Sequence, residues 1–238
     1  MADLTPAVPD AQPPTPYYSD DLVTLYHGDC REVTAWLEAD VLLTDPPYGV
    51  GWSQNDYLSP GRTAGQRTKP HAGIQNDHDV STRDAALALW GSERPALVFG
   101  STNRPFPPGW KRMLIWKKPN DAGFLHASTW RQDWEPIFVL GKWPRSPADE
   151  SSVIPTGAGS HRQYAQGIHP HAKPVDALQR LILKCPEGLI ADPFAGSGST
   201  LVAAKLIGRR AVGVELDESY CETAAKRLAQ DTLFGGAA

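Results

Sequence analysis

Short apolar runs alternate with amphipathic stretches along most of the chain. Residues 22–28, Leu-Val-Thr-Leu-Tyr-His-Gly, read as a strand ending at Gly28-Asp29, and a short helix is expected at 31–38. Val41-Leu42-Leu43-Thr44 predicts a buried strand, 41–45, that stops at Asp45-Pro46-Pro47-Tyr48, because proline cannot donate to a sheet ladder. Ala85, Ala86, Leu89 and Trp90 fall at helical spacing within 82–90. Strands are expected at 95–100, 112–117 and 136–141. A helix over 174–184 opens with Pro174 in its first turn and carries Val175, Leu178, Leu181 and Ile182 on one face. A short strand at 188–191, an Ala/Leu-rich helix to about Ile207, a strand at 210–215 and a helix at 218–230 capped by Asp217 complete the pattern. Strands alternating with helices predict an α/β fold built on a doubly wound, mostly parallel sheet.

Two stretches break the pattern. Residues 49–78 and 144–168 are polar and aperiodic, and loops of that length inside a compact domain are usually functional. Residues 1–19, rich in Pro and Ala, are expected to be a disordered lead-in to a single domain over 20–232.

Composition narrows the classes. The three cysteines, Cys30, Cys185 and Cys221, form no metal-type or redox-type pair, which fits a reducing cytoplasm. No stretch is apolar enough to span a membrane, and the N-terminus lacks a signal-peptide pattern. The net charge of −4 does not announce a nucleic-acid partner, but its distribution does more. No acid occurs between Asp56 and Asp77, between Glu93 and Asp121, or between Glu150 and Asp176. Those windows hold Arg62, Arg67, Lys69, Arg94, Arg104, Lys111, Arg112, Lys117, Lys118, His161, Arg162 and Lys173, interleaved with Tyr57, Phe106, Trp110, Trp116 and Tyr164. Basic residues with aromatics and no acids suit phosphates and unstacked bases.

Two motifs carry chemistry. Asp45-Pro46-Pro47-Tyr48 places a carboxylate, a carbonyl and an aromatic ring together at a strand's carboxyl end, where ligands bind in open α/β sheets. A carboxylate and a carbonyl can accept both N–H bonds of one amino group while the ring stacks on a flat base. The second motif, Asp192-Pro193-Phe194-Ala195-Gly196-Ser197-Gly198-Ser199-Thr200, is a glycine loop between a strand and a helix. Its glycines permit close backbone approach, and the helix start offers free N–H groups. It is no P-loop, since no Lys precedes Ser199 or Thr200, and Leu201 stands three residues past Gly198. Glu215, at the end of the next strand, suits the two hydroxyls of a ribose. His161, His169 and His171 have no Cys or acid to complete a metal set, so they read better as part of the loop that leads to Lys173.

With these residues the chain resembles the amino-group DNA methyltransferases that use S-adenosylmethionine, in the circularly permuted motif order called the β class. Asp45–Tyr48 matches the catalytic motif, 192–198 the cofactor motif, His169-Pro170-His171-Ala172-Lys173-Pro174 the motif before a helix, and Gly28-Asp29-Cys30 a turn after the first strand. Members often carry Thr-Gln where this chain has His171-Ala172. The resemblance covers about residues 20–230. It implies a Rossmann-like methyltransferase sheet with small recognition loops at 49–78 and 144–168. It also implies catalysis at Asp45, Pro46, Pro47 and Tyr48, with Tyr48 stacking on a flipped base. The cofactor would be held by Asp29 and Cys30 near its adenine, Glu215 at its ribose, and Asp192, Phe194, Ala195, Gly196, Ser197, Gly198 and Ser199 along its methionine part. Asp45 would border it, and Lys173 would lie near its carboxylate. Candidate contacts to double-stranded DNA are Trp52, Arg62, Arg67, Lys69, Arg104, Lys118 and Arg162. Trp116 suits either the base pocket or the core. Asp rather than Ser at position 45 leans towards adenine N6 over cytosine N4. Methyl transfer to RNA or to a protein glutamine is a weaker fit to the motif order. A non-catalytic DNA-binding protein fits poorly with an intact Asp45 and glycine loop. Dimerisation is common among such enzymes, so a homodimer is an open option, as is a cognate restriction enzyme.

Overall fold

The computed structural model describes residues 14–49, 77–118, 132–144, 150–156 and 172–231. Among them a nine-stranded sheet runs in the order β1-β2-β9-β8-β3-β4-β6-β5-β7. The strands are β1 (Tyr18–Ser19), β2 (Val23–His27), β3 (Val41–Thr44), β4 (Ala96–Phe99), β5 (Arg112–Lys117), β6 (Trp134–Leu140), β7 (Val153–Pro155), β8 (Ile190–Asp192) and β9 (Ala211–Glu215). The helices are α1 (Ser81–Trp90), α2 (Val175–Lys184), α3 (Ser199–Leu206) and α4 (Glu218–Asp231).

The five strands β2, β9, β8, β3 and β4 are mutually parallel, so their carboxyl ends share one rim. From β8 the chain winds one way to β9, and from β3 the other way to β4. β8 and β3 are themselves paired, Val41 opposite Ile190 and Leu42 opposite Ala191. The winding therefore reverses between them, which opens a crevice at their carboxyl ends. β6 runs antiparallel to β4 and β5, so its first residues lie at that rim with the last residues of β5 and β7.

Central strands buried on both faces need continuous apolar runs, and all four residues of β3 and of β4 are buried. Val41 and Leu43 face the layer made by α2, α3 and α4, whereas Leu42 faces Trp36, Ala86 and Trp90 on the other side. Trp36 and Trp90 stack there at 5.9 Å and 12°. The doubly wound expectation thus holds, with helices on both faces. β9 lies beside β2, so the late glycine-loop half continues in space into the N-terminal strands, as a permuted order requires. Among the described residues no helix is long and apolar enough to cross a membrane.

Four local expectations need correction. The helix expected at 31–38 is only a 3₁₀ turn, Ala35–Glu38. Asp29 explains this: its carboxylate accepts the Arg31 N–H, and its carbonyl accepts those of Glu32 and Val33, closing a tight turn instead of a helix. Tyr18–Ser19, at the end of the expected disordered lead-in, pairs with β2, and Asp20 holds the turn through the Leu22 and Val23 N–H groups. β7 lies within the stretch 144–168 expected to be irregular. It is three residues long and ends in Pro155, which an edge strand tolerates. β6 begins at Trp134 rather than 136, which brings Glu135 into the ladder opposite Trp116.

The turn after β6 needs glycine. Gly141 has φ +75°, and a Cβ there would sit 1.9 Å from the Arg94 carbonyl oxygen. Gly141→Ala should lower stability by about 2–4 kcal/mol, read from urea unfolding. A loss below about 0.5 kcal/mol would contradict this packing.

Candidate active site

Thr44 ends β3 and Asp192 ends β8, and the Thr44 hydroxyl donates to Asp192 Oδ1 at 2.7 Å across the crevice. The chain then leaves β3 as Asp45-Pro46-Pro47-Tyr48 and leaves β8 as the glycine loop. The two motifs are therefore adjacent. Gly49 follows with φ +74°, and its N–H donates to the buried Asp77 carboxylate at 2.7 Å.

Asp45 lies in a cluster of charges. Lys173, at the entry to α2, brings its Nζ to 2.8 Å from Asp45 Oδ2, 3.0 Å from Glu135 Oε2 and 3.1 Å from the Tyr48 hydroxyl. Tyr48 donates to Asp45 Oδ1 at 2.5 Å. Lys118, just past β5, pairs with the other Glu135 oxygen at 2.7 Å. The rings of Phe99, Tyr48 and Trp116 lie 5.0, 5.3 and 5.3 Å from the Lys173 ammonium. Facing rings add cation–π attraction to the two carboxylates.

The two acids respond differently. Burial raises the Asp45 carboxyl, Glu135 raises it further, and Lys173 only partly offsets them. Burial would raise Glu135 too, but Lys173 and Lys118 outweigh it and hold that carboxyl down at about 2. For Lys173 burial favours the neutral amine, yet Asp45 and Glu135 outweigh burial and keep it protonated. A proton entering the cluster would therefore go to Asp45.

The glycine loop is held from two sides. Glu215, at the end of β9, accepts the Gly196 N–H at 2.7 Å and the Asp217 N–H at 2.8 Å. Arg227 on α4 donates to the Ser197 carbonyl at 2.6 Å and to the hydroxyls of Ser197 and Ser199 at 3.1 and 3.2 Å. Gly198 (φ +79°) packs so closely on α4 that a Cβ would lie 2.8 Å from Ala224 Cβ. Gly196 (φ +51°) is different, since a Cβ there would meet nothing within 4 Å. The loop backbone thus faces open space on the rim while its other side is packed. The Ala195 N–H is taken by Val214, and the Phe194 N–H by Asp192.

Asp29 stands at the end of β2, with its carboxylate paired to Arg31 at 2.5 Å. Cys30 is buried among apolar side chains, and burial pushes its thiol up to about 12, so it is an uncharged packing residue. Trp116 is also core, and its indole donates to Thr156 Oγ1 at 3.0 Å, yet its ring borders Lys173. Lys118, expected among the DNA contacts, pairs with Glu135, with the side chain 16% exposed. Arg104 is exposed in the segment that leaves β4 at the active rim. Trp52, Arg62, Arg67, Lys69, Arg162 and the three histidines at 161, 169 and 171 lie outside the described residues. Among the described residues no group of three or more His, Cys, Asp or Glu could hold a metal ion.

Sequence reasoning missed Glu135, Thr44 and Arg227 as site residues. Glu135 did carry a signal, an acid within the apolar strand Trp134–Leu140, where a charge needs partners.

Asp192 gives the site a pH signature. Burial pushes its carboxyl up to about 6, against hydrogen bonds from Thr200, Thr44 and the Phe194 N–H. The native protein thus retains a proton that the unfolded chain releases near about 4. The stability from this proton is complete below about pH 4 and is lost as pH rises through about 6. Asp192→Asn should remove that dependence. The stability difference between wild type and variant should change by on the order of 2–3 kcal/mol between about pH 4 and 7 in urea unfolding. Parallel pH curves would contradict the assignment.

A family model described as DNA methylase, the N6/N4 methyltransferase model, matches residues 109–226. YubD of Escherichia coli (strain K12), which carries the name of a methylase, is 33% identical over 230 residues, covering 89% of this chain and 93% of that protein. The M1.HpyAVI–SAM complex shares the fold with a TM-score of 0.56 at 21% identity, covering 87% of this chain and all of that one. The cytosine-N4-specific PvuII DNA methyltransferase has a TM-score of 0.60 at 16% identity, covering 90% and 89% of the two chains. The paired motifs at one crevice, the extent of the match to YubD and the family model lead to one conclusion: the chain belongs to the N6/N4 amino-group DNA methyltransferase family.

Proposed function

We propose that the protein transfers a methyl group from S-adenosylmethionine to the exocyclic amine of a base flipped out of double-stranded DNA, with adenine N6 as the acceptor. The observation that carries this reading is the crevice itself. The Thr44–Asp192 hydrogen bond holds the Asp45 turn beside the glycine loop, so an amine acceptor and a cofactor cradle share one rim.

The residues present fit that cofactor. The open side of Gly196 leaves room against the loop backbone, and the α3 N-terminus stands behind it. Glu215, half-buried at the next strand end, accepts one loop N–H on each oxygen and keeps lone pairs with which to accept ribose hydroxyls. Asp29 and its turn would border the adenine. When bound, S-adenosylmethionine supplies an electrophilic methyl group.

An exocyclic amine is a poor nucleophile because its lone pair is delocalised into the ring. Asp45 and the Pro46 carbonyl accept its two N–H bonds and draw the nitrogen towards tetrahedral geometry. The lone pair then points at the cofactor. Asp45 is also the carboxylate of the cluster with the higher proton affinity, so it can take the proton that the amine loses. Alignment and preorganised charge supply the acceleration, and no covalent nucleophile is required. A base inside a duplex cannot reach this crevice, so it must leave the stack, with Tyr48 as its stacking surface. The preference for adenine rests on Asp at position 45 within the family resemblance.

Incubation of duplex DNA with isotope-labelled S-adenosylmethionine, followed by nucleoside mass spectrometry, tests the reaction and the base together. Labelled N6-methyladenine is expected. Label only in N4-methylcytosine would overturn the base, and label only in RNA or protein would overturn the substrate. Asp45→Ala should reduce transfer by about 1,000-fold or more, while cofactor affinity stays within about threefold by calorimetry. Loss of cofactor binding by a folded variant would contradict the role given to Asp45.

A further inference from the structure

Lys173 poses a problem for the reaction. Its ammonium has three N–H donors and three acceptors: Asp45 Oδ2, Glu135 Oε2 and the Tyr48 hydroxyl. It therefore holds one of the carboxylate oxygens that an arriving amine would use. An ammonium is a stronger donor than a neutral amine. With Asp45 as its sole anion, Lys173 would resist exchange, because a side chain only 9% exposed cannot shed its counter-ion into water.

Glu135 supplies the alternative. Its backbone is fixed in β6 opposite Trp116, and its other oxygen is pinned by Lys118 at 2.7 Å. The carboxylate cannot follow Lys173 towards Asp45. We propose that Glu135 is a positioning residue for methyl transfer: it keeps Lys173 paired while the ammonium yields Asp45 to the exocyclic amine. No bond between heavy atoms forms or breaks in this exchange, and one hydrogen bond to Asp45 replaces another. Lys118 sets the position of Glu135, and the rings of Phe99 and Trp116 bound the path of the ammonium. This inference rests on the proposed methyl transfer at Asp45.

A double-substitution cycle tests it, with kcat on duplex DNA and cofactor affinity measured for wild type, Glu135→Gln, Lys173→Met and the double variant. Glu135→Gln should lower kcat by about 30-fold or more while cofactor affinity changes less than about threefold. In the Lys173→Met background the same change should cost less than about threefold, because there is no ammonium left to divert. Losses that multiply independently would show Glu135 to be only structural and would overturn the proposal. The acid limb of kcat gives a second readout. Asp45 is faced by Lys173 from the entry to α2, Glu135 from β6, Asp192 from β8 and its own neighbour Tyr48. Removing the Glu135 charge removes a repulsion, so that limb should move to lower pH, and an unmoved limb would count against the proposal. If Glu135→Gln fails to fold, Lys118→Met carries the test: kcat should fall about 3- to 10-fold, and an unchanged kcat would overturn the proposal. A wild type that methylates no DNA would sink the parent function and this inference together. An active wild type with an unaffected Glu135→Gln sinks the inference alone.

Discussion

The parallel pairing of β3 with β8 is the constraint on which the site depends. Thr44 and Asp192 are 148 positions apart, yet the register of those strands brings them within hydrogen-bonding distance. Because the winding reverses between these strands, their connections diverge and leave space above their ends. Thr44, Asp45, Asp192 and Glu135 reach that space from strand ends, and Lys173 reaches it from the segment before α2. The rim also has a cost. It crowds Asp45 and Asp192, and the Asp45 charge is one of the influences that push Asp192 up. The conflict is met in two ways: Asp192 is held by hydroxyls and backbone, whereas Asp45 is paired with a lysine.

The charge cluster is a second constraint, and it depends on the antiparallel turn of the sheet. In a uniformly parallel sheet the start of β6 would lie at the opposite rim. Because β6 reverses, Glu135 enters at the active rim, beside the ends of β5 and β7. Two acids and two lysines then balance in a half-buried pocket. Stranding one of them would cost about 3–5 kcal/mol, whereas the intact set need add little net stability. Its value is orientation. Lys173 is fixed by acceptors and rings on several sides, so the direction of its donors is set before substrate arrives.

Much of this is legible in the sequence because it depends on local patterns. The apolar run before Asp45 marks a strand end, and Gly196 and Gly198 mark a loop whose two glycines both take positive φ. The order of helices and strands is enough for a doubly wound sheet. What escapes depends on pairing between distant segments. Glu135 is visible as a charge in an apolar strand, but its meeting with Lys173 is not, since nothing local gives β6 its direction. The acid-free stretch that runs from Glu93 up to Lys118 along the chain says little about an acid one strand away in space. The false helix after Asp29 has a local cause, an acid whose carboxylate and carbonyl both turn back on the chain.

The contrast between Asp45 and Glu135 shows how one lysine can serve two different acids. Both carboxylates touch the same ammonium at nearly equal distance, 2.8 and 3.0 Å. Distance to Lys173 therefore cannot explain why one is raised and the other lowered. The difference comes from the remaining neighbours. Glu135 has Lys118 on its second oxygen, whereas Asp45 has the hydroxyl of Tyr48. A phenol stabilises a carboxylate by one hydrogen bond; a second ammonium adds a full charge. Glu135 is thereby fixed as an anion and can act only as a counter-ion. Asp45 keeps an affinity for protons that Glu135 has lost. Lys118, paired with Glu135 and not with Asp45, thus sets the two acids apart.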